Sequence, residues 1–172
     1  MNEEVAESSL GSGGVYVLPF FQGRGTPDWN SAARGAFAGM SLSTTRGDLA
    51  RAVLESIALE AANHVALLEG IGGQAAAIVV GGGLTNQPLF PQMLADATNR
   101  QVLREHGKVE GTARGAWMSA AVTLGLVDGF EEAFAVAAQD SVYDPYEPNA
   151  ANVPCYQQMR ERINELYAKT QA

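Results

Sequence analysis

Three consecutive glycines, Gly81-Gly82-Gly83, follow a wholly apolar run at residues 75–80 (AAAIVV) and precede Leu84-Thr85-Asn86-Gln87. The chemistry open to such a stretch is recognition by main chain. Without a Cβ, a glycine turn adopts backbone angles closed to other residues and admits a flat ring against bare peptide. A short apolar run of this kind suits a strand buried on both faces, as in a parallel sheet. Asn86 or Thr85 is placed to cap the following helix, and Pro88 fits its first turn. Strand, glycine turn and helix together form a place where a nucleotide lies at the carboxyl end of a strand. The same local pattern also serves a plain strand-to-helix connection without a ligand, and both readings stand at this point.

Self-sufficient catalytic sets are missing from the sequence. It has no phosphate-loop lysine pattern, no paired histidines at metal spacing, no cysteine cluster and no serine in a nucleophile elbow. His64 and His106 fall on different elements, and Asp28, Asp48 and Asp96 each have a turn, cap or helix-end explanation. No catalytic residue and no metal site is therefore expected within the chain, which reads as the ligand-holding part of a larger machine.

The elements that must position the glycine turn follow from periodicity. Residues 1–14 read as a flexible lead-in ending in LGSGG, and residues 15–172 as the domain. Residues 15–21 (VYVLPFF) form a first strand. Residues 22–33 form an ordered loop in which Trp29 serves as a buried packing plug. Residues 34–40 form a second short strand, with glycines where another backbone comes close. Thr44 or Thr45 opens the longest helix, traced by Leu49, Ala52, Val53, Ser56, Ile57, Glu60, Ala61, His64, Leu67 and Leu68. On it His64 is expected to be structural, and Glu55 a solvated or backbone-bonded carboxylate. Residues 101–104 (QVLR) make a second strand parallel to the first, completing a crossover unit. Residues 110–121 open another helix, residues 130–138 form a short one, residues 142–148 an extended connection, and residues 150–168 a terminal helix.

Bulk properties bound the function. The 172 residues, 47% hydrophobic and 17% charged, suffice for one domain with a core. Eleven Lys and Arg against 19 Asp and Glu give a net charge of −8, which disfavours a nucleic-acid partner. One cysteine, Cys155, allows no internal disulfide, and no apolar run approaches the ~18 residues of a membrane span. A cytoplasmic protein is expected.

Four ordered motifs then carry a resemblance. Residues 14–30 (GVYVLPFFQGRGTPDWN) with Ala33-Arg34-Gly35 are similar to the opening of the C-terminal domain of FGGY carbohydrate kinases. Residues 35–40, Asp48-Leu49 and residues 52–56 (AVLES) resemble the family's second signature. Gly81-Gly82-Gly83 with Pro88-Leu89-Phe90, Gln92 and Ala95-Asp96 resemble its adenosine-binding segment, and Thr112-Ala113 with Gly115-Ala116 the helix start that closes the pocket. Three departures stand out: Gln87 at an Asn position, Arg114 at a commonly hydrophobic one, and Arg24-Gly25 for a frequent Glu-Arg pair.

The resemblance implies an α/β fold: a ribonuclease-H-like, actin-like ATPase domain, incomplete here, with a short mainly parallel sheet flanked by helices. It implies ATP with Mg2+ as cofactors, and a sugar or polyol of the glycerol or ketopentose class as acceptor. Gly81, Gly82, Gly83, Leu84 and Gln87 would bind the adenine nucleotide. The proton-accepting aspartate, the sugar site and the phosphate-holding turns would lie upstream, so these residues alone should not turn over. The missing strands would leave the strand at residues 75–80 with an uncovered edge, open to pairing with a second copy. The alternative is a non-catalytic actin-like assembly or regulatory module.

Overall fold

The computed structural model describes residues 2–106, 111–139 and 141–170. Its longest element is α2 (Arg46–Gly72), and a reciprocal cap starts it. Thr45 Oγ1 accepts from the Asp48 amide at 3.1 Å, while Asp48 Oδ2 accepts from the Thr45 amide at 2.9 Å. Two donors that the helix itself leaves orphaned are thus satisfied. Thr45→Ala should remove one of them and cost about 1 kcal/mol. Thermal denaturation checks this as a fall in Tm of about 2–4 °C.

Residues 2–14 are not a flexible lead-in. They form α1 (Asn2–Glu7) and a single tight turn at Ser12–Gly14, with Val5 and Ser12 buried. Backbone closeness and polar contacts hold the segment down. A Cβ on Gly47 would stand 2.2 Å from the Glu4 carbonyl oxygen, and one on Gly39 2.2 Å from that of Gly14. Ser8 Oγ donates to Asp48 Oδ1 at 2.6 Å, and Arg51 Nη1 donates to the Ser8 carbonyl at 2.6 Å. Met1 lies outside the described residues.

Two small sheets follow. β1 (Tyr16–Leu18) pairs antiparallel with β2 (Ala36–Ala38). β3 (Ala77–Val80) pairs parallel with β4 (Gln101–His106), Val80 opposite Arg104, and α3 (Phe90–Thr98) makes the crossover between them. Residues 142–148, expected as a connection, contain a strand instead. β5 (Val142–Tyr146) runs antiparallel to β4, so the three-stranded sheet is mixed, in the order β3-β4-β5. Pro145 has no N–H for the ladder and is tolerated because β5 is an edge strand.

The core lies on one face of this sheet. Leu59 and Ala62 of α2, Met93 and Leu94 of α3, and Tyr156, Met159 and Ile163 of α6 (Val153–Thr170) meet Leu18, Phe20 and Val102 there. Burial pushes the pKa of the Tyr156 phenol upward, and the nearby Glu55 charge adds to the rise. The expectation that β3 is buried on both faces fails. Ile78 and Val80 touch the core, whereas Val79 on the opposite face is 51% exposed. β3 is also an edge of its sheet, with one neighbour among the described residues. Beyond β4, α4 (Gly111–Thr123) and α5 (Phe130–Ala137) pack on each other; Glu110, read as part of the α4 start, lies outside the described residues.

Trp29 is no packing plug: it is 80% exposed. The loop it sits on is held by Arg24, whose guanidinium stacks 4.3 Å from the Tyr167 ring centroid and 5.1 Å from that of Phe20. Arg24 Nε also donates to Glu60 at 3.1 Å. Among the described residues, no helix is long and apolar enough to cross a membrane.

Candidate nucleoside site

β3 ends at Val80, and the chain turns through the three glycines into a tight turn of helix at Gly83–Asn86. Gly82 takes φ +95° and ψ −179°, a conformation that only glycine adopts without strain. Thr85 closes the turn from beneath: it is buried, and its Oγ1 donates to the Gly82 carbonyl at 2.8 Å. Neither Thr85 nor Asn86 caps α3. Gln87 does so, its Oε1 accepting from the amides of Leu89 at 2.7 Å and Phe90 at 2.9 Å. Pro91, not Pro88, occupies the first turn of α3.

The upper face of the turn is bare. Gly81, Gly82, Gly83 and Leu84 are all exposed. A Cβ built on Gly82 or Gly83 meets nothing within 4 Å, and one on Gly81 meets only Glu105 Oε2, at 3.9 Å. No side chain of the described residues fills the space above these glycines, so a planar group has access to their main chain.

Around the turn stand charged side chains of which the sequence had marked only Arg114, in the helix start expected to close the pocket. Arg104, at the end of β4, donates through Nη2 to Asn86 Oδ1 at 3.2 Å. Glu105, the next residue, points to the other face, as alternation along a strand requires. Its Oε1 accepts from Ser141 Oγ at 2.6 Å and pairs with Arg114 Nη2 at 2.6 Å. Burial alone would raise the Glu105 pKa; the Ser141 hydroxyl and the Arg114 guanidinium outweigh it and hold the carboxyl below its ordinary value. Three buried side-chain nitrogens lack an acceptor among the described residues: Gln87 Nε2, Arg104 Nε and Arg114 Nε. All three residues belong to this end of the sheet. The only sequence signal for Arg104 and Glu105 was charge at the carboxyl end of a strand.

Other polar residues that the sequence raised are engaged within the protein. His64 Nε2 lies 3.0 Å from the Thr26 carbonyl, and His106 pairs with Asp144. Asp96 is buried by Gln92, the Asn149 amide and Asn152, each at 2.8 Å. A hydrogen bond from the Tyr167 hydroxyl lowers the Asp28 pKa, against a weaker desolvation effect. Glu55 is backbone-bonded, yet not solvated. It is 1% exposed and accepts from the Gly11 amide at 3.1 Å, Ser12 Oγ at 2.7 Å and Arg51 Nε at 2.8 Å.

The small mixed sheet, with helices packed on it and an open glycine turn at a strand's carboxyl end, agrees with the expected incomplete actin-like fold. The structure matches the xylulose kinase of Rhodospirillum rubrum with a TM-score of 0.79 and 31% identity, over 99% of this chain and 33% of that one. It matches the ligand-bound xylulose kinase of Lactobacillus acidophilus with a TM-score of 0.82 and 25% identity, over 99% of this chain and 34% of that one. In sequence it is 37% identical over 165 residues to a glycerol kinase of Clostridium botulinum, covering 95% of this chain and 31% of that protein. For a glycerol kinase of Enterococcus faecalis the figures are 35% over 145 residues, 84% and 29%.

The model of the FGGY family of carbohydrate kinases, C-terminal domain, matches residues 1–124, and the chain belongs to that family. It spans about 30% of the length of these curated relatives.

Proposed function

We propose that this chain is the adenosine-side part of an ATP-dependent carbohydrate kinase. The whole enzyme transfers the γ-phosphoryl group of ATP to a hydroxyl of a sugar or polyol, of the glycerol or ketopentose class. The observation that carries the reading is the uncovered main chain of Gly81, Gly82 and Gly83 at the carboxyl end of β3. Backbone there receives the adenine and ribose, Leu84 lies beside the base, and Gln87 stands near the adenine.

Phosphoryl transfer rests on in-line positioning and charge neutralisation. What these residues contribute is the first of these: they grip the nucleoside end and, on closure against the sugar-binding part, help exclude water. Mg2+ would arrive on the nucleotide phosphates and neutralise their charge. Among the described residues, no three His, Cys, Asp or Glu side chains gather as a metal site, so no residue here is given a role toward that ion.

The test has two arms. Calorimetry on the 172-residue chain should detect weak ADP binding and a coupled assay no turnover. The full-length kinase given ATP and a panel of glycerol, xylulose and ribulose should release ADP with one class of acceptor. Turnover by the short chain alone would overturn the division of labour, and absence of ADP binding would overturn the nucleoside seat.

A further inference from the structure

Arg104 meets the glycine turn at both of its ends. Where the chain enters the turn, Arg104 stands opposite Val80, the last residue of β3, in the parallel ladder. Where the chain leaves it, Arg104 Nη2 donates at 3.2 Å to Oδ1 of Asn86, the last residue of the tight turn at Gly83–Asn86. Asn86 is exposed, and its side chain has no other hydrogen bond among the described residues. The stretch from Gly81 to Asn86 thus departs from and returns to a single residue of β4.

Arg104 is itself held. Its side chain is 21% exposed and its Nε is buried, so it works through its two outer nitrogens. Asp144 of β5 stands opposite it in the antiparallel ladder, with Oδ2 3.8 Å from Nη1. His106 pairs with the same Asp144 oxygen. Val80, Arg104 and Asp144 therefore form one row across the three strands, and the guanidinium in the middle reaches from β5 to the turn.

The glycines explain why such a brace matters. Glycine loses more conformational freedom on ordering than any other residue. Gly81, Gly82 and Gly83 are exposed and have no side chains by which packing could fix them. Within the turn itself, Thr85 Oγ1 holds the Gly82 carbonyl. A loose turn must be ordered by its ligand, which subtracts from affinity; a turn ordered beforehand is free of that cost.

We infer that Arg104 is a positioning residue of the nucleoside site: through Asn86 it fixes the glycine turn in its open shape before the ligand arrives. It acts on the turn and not on the ligand. The inference rests on the nucleoside reading proposed above and adds what sets the affinity of that seat.

Calorimetry with ADP and hydrogen exchange on the 172-residue chain test it, using Arg104→Met, Asn86→Ala and the two together. Each single change should weaken ADP about tenfold, the worth of one hydrogen bond to a charged group. The double variant should lose no more than either single one, because both remove the same contact. In the ligand-free variants the amides of Thr85 and Gln87, which close the turn onto the Gly82 and Leu84 carbonyls, should exchange faster than in wild type, and saturating ADP should restore their protection. In the full-length kinase Arg104→Met should raise KM for ATP by the same factor and change kcat far less.

A roughly hundredfold loss in the double variant, the product of two independent effects, overturns the inference. So do wild-type exchange at the turn amides and a fall in kcat without a rise in KM. Should Arg104→Met fail to fold, Asn86→Ala alters only an exposed side chain, and wild-type ADP affinity there overturns the inference by itself. A wild-type chain that binds no ADP fails the nucleoside seat; a wild-type chain that binds it, with variants that bind it equally well, fails this inference alone.

Discussion

Gly83→Val is expected to abolish adenine-nucleotide binding while leaving the fold intact. The two halves of that result come from one observation: a Cβ at Gly83 meets nothing within 4 Å in the protein. The isopropyl group therefore has room in the free chain, and a substitution on open surface changes stability by only about 0.5 kcal/mol. It projects into the space a ring must occupy to reach the main chain, so the cost falls on the complex. Gly82 is the wrong place for the same experiment. Its φ of +95° lies where a β-branched residue is strained by about 1–3 kcal/mol, so lost binding there would be confounded with misfolding. Calorimetry with ADP, paired with a melting curve, reads both halves. An ADP signal of wild-type size in Gly83→Val, with an unchanged Tm, would remove the glycine turn from the site.

Glu55→Ala should be the most destabilising single change in the chain, costing about 3–5 kcal/mol, because it leaves a buried charge without its partner. Glu55 is 1% exposed, and its loss strands the Gly11 amide, Ser12 Oγ and Arg51 Nε together. Arg51 in turn holds the Ser8 carbonyl, so segment 8–14 is left with the Ser8–Asp48 bond as its remaining side-chain tether to α2 named above. For a domain of this size the cost corresponds to a fall in Tm on the order of 10 °C. Hydrogen exchange should show the Gly11 and Ser12 amides losing protection first. Glu55→Gln keeps the shape and one acceptor oxygen but removes the charge, and should fall between wild type and Ala. A Tm shift of 2 °C or less in Glu55→Ala would show that Arg51 and the segment find other partners at little cost.

Local signals in the sequence determined a good part of this protein. The capped helix α2, the β3-α3-β4 crossover and the glycine turn depend on helical periodicity, apolar runs and glycines within a few residues of one another, and each is where the pattern placed it. Family membership was likewise legible, because the motifs that carry it are short and ordered along the chain.

Only the tertiary structure decided the rest, and the reason is sequence distance. Glu55 is buried because residues 11 and 12 fold back over it from more than 40 positions away. Residues 142–146 are a strand because β4 offers them a free ladder, despite a proline that argues locally against one. Trp29 faces solvent, and the rings of Phe20 and Tyr167 stack with Arg24 instead. Glu105, Arg114 and Ser141, spread over 37 positions of chain, become a single cluster only when β4, α4 and the start of β5 meet. Local pattern specifies elements, since each depends on near neighbours. Which side chains share a site depends on contacts between distant residues, and packing alone settles those.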